Sequence, residues 1–109
     1  MKKRSIKPAA GDNRALNGLV QAMLALDTPA QMRAFLVDLC TPAELQALAD
    51  RWRVVPLLIE GVAYRDIHDR TAVSVTTIGR VARCLEMGSG GYRHALNQLA
   101  TDGPDKSSQ

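Results

Sequence analysis

The sequence predicts an all-α protein. Apolar residues recur at helical spacing from about residue 13 to residue 100, caps and glycines mark the breaks between runs, and only four residues are aromatic. A core so short of aromatics is built from Leu, Val, Ile, Ala and Met, which suits helix packing better than the Val, Tyr and Thr alternation of a sandwich or barrel. With 109 residues and 46% hydrophobic content there is room for one domain with a single modest core.

Six helices follow in order. The first is predicted from about Asn13 to Leu26, where Leu16, Leu19, Val20, Met23 and Leu24 form a stripe at i, i+3, i+4, i+7 and i+8. Thr28 then reads as an N-cap and Pro29 as the first residue of the second helix, whose apolar face is Met32, Phe35, Leu36 and Leu39. Thr41-Pro42-Ala43-Glu44 repeats that start and adds a capping-box carboxylate, opening a third helix that runs to Glu60 with Gly61 as its stop. Leu45, Leu48, Trp52, Val55 and Ile59 lie close to a heptad seam, as in a helix buried along its length in a core or against a partner chain. Pro56 removes one backbone hydrogen bond there, so a kink is expected near Trp52 to Val55.

Two short patterns come next, Tyr64 to Arg70 and Val75 to Glu86, joined by Thr71-Ala72-Val73-Ser74 with Ser74 as N-cap of the second. This is the layout of a helix-turn-helix. Ile67 and Val73, then Ile78, Val81 and Leu85, supply the apolar residues that pack such a pair. His68 stands where such units usually hold a small residue, and Ala72 where they usually hold a turn glycine. The last helix, about Tyr92 to Ala100, follows Gly88-Ser89-Gly90-Gly91 and is expected to bury Tyr92, Ala95, Leu96 and Leu99. The periodic region gives a domain of 12–101. Residues 1–11, basic with Pro8 and Gly11, and the polar, turn-rich 102–109 are expected to be disordered tails.

Charge is unevenly placed. The formal net charge is +3, yet Lys2, Lys3, Arg4 and Lys7 alone supply four positive charges, leaving the remainder of the chain at −1. Attraction to a polyanion therefore depends on where the other arginines sit. No run approaches the roughly 18 apolar residues of a membrane span, and the basic start leads into Gly11-Asp12-Asn13-Arg14 and not into a signal-peptide core, so a cytoplasmic protein without membrane partners is expected. Cys40 and Cys84 have no C-x-x-C or Cys/His cluster around them and read as small buried hydrophobes, with no metal site.

The outward face of the second short helix shows Val75, Thr76, Gly79, Arg80 and Arg83. Methyl and hydroxyl groups near a helix start suit thymine methyls and base edges, arginines further along reach guanines or phosphates, and the positive end of the helix dipole at Ser74 to Thr77 favours the same anion. Glu86 is the first carboxylate after Asp69. Double-stranded DNA is the partner this face predicts. An enzyme would have to start from Asp66, His68 and Asp69, or from His94 with a cysteine; His68 points away from the two aspartates on a helix and no third ligand or nucleophile has suitable spacing, so no enzyme is expected. Trp52 as a ligand platform is outweighed by Trp52 as core or dimer interface. The alternative from another class is a protein-interaction adaptor, a helical dimer with a vestigial helix-turn-helix.

Over about residues 12–100 the chain resembles the Trp repressor superfamily, in its YerC/YecD-like branch of Trp repressor relatives. The resemblance runs through Thr41-Pro42-Ala43-Glu44-Leu45, Ala47-Leu48-Ala49-Asp50-Arg51-Trp52, Leu57-Leu58-Ile59-Glu60-Gly61, Tyr64-Arg65-Asp66-Ile67, Val75 to Leu85 and Gly90-Gly91-Tyr92. It implies a six-helix intertwined homodimer that places two recognition helices in successive major grooves of a palindromic operator, docking for which Trp repressor is itself a type example. It also implies base-facing roles for Val75, Thr76, Thr77 and Gly79, with Arg65 and His68 near the DNA backbone.

The resemblance carries an L-tryptophan corepressor too, its indole held between two arginines. This chain keeps both, Arg51 and Arg80, but has Val81 in place of a glycine that leaves room for the ring and Cys84 in place of a serine that helps hold the ligand amine. A branched side chain and a lost hydroxyl both work against a buried planar amino acid, so the expectation is ligand-independent binding or another effector, with no cofactor.

Overall fold

The computed structural model describes residues 13–101, and the expectations for the two tails fall outside them. Among the described residues there are six α-helices and no strand: α1 (Arg14–Leu24), α2 (Pro29–Leu39), α3 (Pro42–Ile59), α4 (Tyr64–Thr71), α5 (Val75–Met87) and α6 (Gly91–Thr101). None of them is long and apolar enough to cross a membrane. The chain divides into two compact units, one ending at Cys40 and holding α1 and α2, the other beginning at Thr41 and holding α3 to α6.

The predicted caps set the boundaries. The Thr28 hydroxyl accepts from the Gln31 amide at 3.1 Å while the Gln31 side-chain carbonyl accepts from the Thr28 amide at 3.3 Å, a capping box that sequence reading had seen only as Thr28 and Pro29. Thr41 and Glu44 make the reciprocal pair at the start of α3, at 3.1 and 2.8 Å. Each such cap is worth about 1 kcal/mol to its helix. α3 runs unbroken through Pro56 and ends in a Schellman motif, with the Val62 amide donating to the Leu57 carbonyl and the Gly61 amide to that of Leu58, both at 3.0 Å. The motif needs a left-handed residue at its second-last position, and Gly61 has φ +85°.

In the second unit the core is wholly apolar. Val54 and Val55 of α3, Ile67 of α4, Val73 of the following turn, and Ile78 and Val81 of α5 are buried, with Trp52, Leu57, Leu58, Val62, Leu85, Tyr92 and Leu96 packed around them. Trp52 meets Tyr92 with ring centroids 6.3 Å apart. Ile67, Val73, Ile78 and Val81 are the residues that the spacing had marked for this purpose.

Other expected burial is absent from the single chain. Ala95 and Leu99 of α6 are exposed, Leu99 by 58%, and Leu48 and Ile59 of the α3 seam are 41% and 42% exposed. Cys40 and Cys84, expected to be buried, are half-buried free thiols. In the first unit no residue of α1 or α2 is buried: the stripe of α1 has the predicted spacing, but Leu16, Val20 and Leu24 stand exposed.

Candidate nucleic-acid interface

The α4–α5 pair is joined by Ala72, Val73 and Ser74. Ala72 takes the left-handed conformation, φ +65°, that ends α4, and its amide donates to the His68 carbonyl at 2.7 Å. That conformation costs an L-residue roughly 1–2 kcal/mol. Side chains brace the turn around it. The Thr71 hydroxyl donates to the Ile67 carbonyl at 2.7 Å and accepts from the Val73 amide at 3.1 Å, and the His68 Nδ1 lies 2.8 Å from the Val73 carbonyl oxygen. Val73 is thereby carried into the core beneath the turn.

Ser74 opens α5. Its hydroxyl accepts from the Thr77 amide at 3.1 Å and donates to the Thr77 hydroxyl at 3.0 Å, so these two side chains chiefly hold the helix start in shape. No acidic residue lies in the first turn of α5, and the exposed Val75 and Thr76 flank its positive end. One turn on, a Cβ at Gly79 would meet only Arg83 Nη1, at an ordinary 3.7 Å. Packing within the chain therefore does not demand glycine there, and the helix surface stays low between Val75 and Arg80. The far end is different: a Cβ on Gly88 would lie 2.5 Å from the Cys84 carbonyl oxygen, so the exit from α5 requires glycine.

Two shallow depressions border this surface. One, of about 410 Å³, is lined by Tyr64, Arg65, His68 and Asp69 of α4 with Val75 of α5, so the fold does bring Arg65 and His68 beside the start of α5. The other, of about 280 Å³, is lined by Arg80, Arg83, Cys84, Met87 and Gly88. Among the described residues no carboxylate pairs with Arg65, Arg80 or Arg83.

The four residues of the expected effector pocket are split. Arg80 and Cys84 share the smaller depression, Arg51 sits half-buried on α3 and does not line it, and Val81 is fully enclosed in the core. The described residues hold no group of three or more His, Cys, Asp or Glu able to bind a metal ion. Sequence reading did not anticipate the Thr71 and His68 contacts within the turn. Nothing in the residue pattern marks them, because both depend on where Ala72 and Val73 point their backbone.

Three comparisons bear on this chain. The sequence profile of the Trp repressor protein family matches residues 14–100. The uncharacterized protein YerC of Bacillus subtilis (strain 168) is 36% identical over 96 residues, covering 88% of this chain and 92% of its own. A crystal structure of a TrpR-like protein from Eubacterium eligens ATCC 27750 superposes with a TM-score of 0.77 at 35% identity, over 82% of this chain and 92% of that one.

Proposed function

The chain belongs to the Trp repressor family, and from that premise we propose that it is a sequence-specific DNA-binding transcription regulator, a repressor that binds a palindromic operator as a cytoplasmic homodimer. The observation that carries the reading is the outward face of α5. Val75 and Thr76 stand exposed at a capped, acid-free helix start, followed by Gly79 and by two arginines without acidic partners among the described residues. Such a face offers apolar and hydroxyl contacts to base edges and bidentate donors to guanine or phosphate. Arg65 and His68 add backbone contacts from α4, and Thr77 contributes at the edge of the helix start. Homodimer formation gives a cover to the apolar face of α1, where Leu16, Val20 and Leu24 are exposed.

Tryptophan is not the effector in this reading. Val81 fills the inner face of α5 as part of the core, and removing its side chain to admit an indole would open the packing around Val54 and Val55.

Arg80→Glu combined with Arg83→Glu tests the assignment. The double variant is expected to keep its helical circular dichroism and its dimeric state while losing more than about a hundredfold in duplex affinity, since each good arginine contact is worth roughly 1–3 kcal/mol. Unchanged affinity in a gel shift at fixed salt sinks the reading and favours the adaptor.

A further inference from the structure

His68 holds the turn and faces the depression shared with Arg65 at the same time. Its Nδ1 lies 2.8 Å from the Val73 carbonyl oxygen, an atom that only accepts, so Nδ1 carries its proton whether the ring is neutral or charged. The second nitrogen, Nε2, is then a bare acceptor in the neutral ring and an N–H donor in the imidazolium. A phosphate oxygen also only accepts. It is repelled by the lone pair of the neutral ring and matched, in both charge and hydrogen bonding, by the protonated one.

The surroundings permit that contact. The depression of about 410 Å³ is lined on α4 by Tyr64, Arg65 and Asp69 beside His68, while α5 contributes only the uncharged Val75. Arg65 supplies a second phosphate donor there, and Asp69 is the one carboxylate on its wall. The turn bond keeps the ring oriented in either charge state, so protonation changes what Nε2 offers without requiring the ring to move.

Resting on the DNA-binding reading above, we infer that His68 is a proton-dependent phosphate contact that makes duplex affinity strengthen as pH falls, independently of base sequence. The sign follows from linkage. The contact requires the protonated ring, so the extra affinity is present at low pH and is lost as pH rises. One proton taken up per half-site gives up to about a tenfold change in dissociation constant per pH unit for each half-site engaged.

The experiment is a titration of the full chain with a mixed-sequence duplex at constant ionic strength from about pH 8 to pH 5.5, the range over which imidazole charges. The wild type is expected to tighten steadily as pH falls. His68→Gln should bind weakly and evenly across the range, His68→Lys tightly and evenly, and His94→Gln, altered on the exposed face of α6, should follow the wild type. Circular dichroism at each pH checks that the variants are folded. A wild type that binds duplex with no pH dependence, or a dependence that survives in His68→Gln, overturns the inference and leaves the DNA-binding reading standing. No duplex binding by any of these proteins at any pH overturns both.

Discussion

α5 and α1 carry apolar stripes of comparable clarity, yet their fates in the single chain are opposite. Along α5, Ile78 and Val81 are completely buried against α3 and α4. Along α1, Leu16, Val20 and Leu24 are 55%, 43% and 73% exposed and no residue is buried. Amphipathic spacing states that a face is to be covered and is silent on what covers it. For α5 the cover comes from α3 and α4, so the α4–α5 geometry is set within one unit. α1 has no such cover within its own unit, and the proposed second copy fills that role.

The sharpest way to break this contrast is to charge the uncovered face. Leu16→Asp with Val20→Asp is expected to raise the dissociation constant of the dimer by more than about a thousandfold, because a fully buried aliphatic side chain is worth roughly 1.5–3 kcal/mol and the pair occurs twice in a homodimer. Sedimentation equilibrium reads the result, and an unaltered dimer would show that α1 is covered by something else or by nothing. Ile78→Ala strikes the covered face instead. It should cost about 2–5 kcal/mol in denaturant unfolding, with the cavity lying directly behind the outward face of α5. A cost below about 1 kcal/mol would mean that the α3–α5 packing is looser than the burial of Ile78 implies.

Ala72→Gly probes the contrast most gently. It relieves the left-handed alanine at the price of a more flexible unfolded chain, for a net gain of about 0.5–1 kcal/mol. The melting temperature should rise by roughly 2–6 °C. A fall would show that the Thr71 and His68 contacts, and not backbone strain, dominate the turn.

Much of the fold was legible because it depends on neighbours in sequence. Thr28, Thr41 and Ser74 cap their helices within three residues, Gly61 ends α3 through its own left-handed backbone, and the spacing of Ile67, Val73, Ile78 and Val81 identifies the side of each element that turns inward. The candidate DNA-facing residues were legible for the same reason, as the complement of that inward face on α5. Boundaries were less so: α1 spans Arg14–Leu24 where Asn13 to Leu26 was expected, since helix ends fray where no side chain caps them.

What periodicity could not supply was the identity of each covering surface. Leu99, Ala95, Leu48 and Ile59 sit at apolar positions yet stay exposed. By itself, then, the sequence determined six helices, their caps and the outward chemistry of α5, because backbone hydrogen bonding and helical spacing are local. Only the tertiary structure decided that His68 braces the turn between α4 and α5, that Leu48, Ile59 and Leu99 stay open and that α1 has no cover within its own unit. Those outcomes depend on which surfaces and carbonyls meet across the chain, a matter of packing that no run of neighbouring residues encodes.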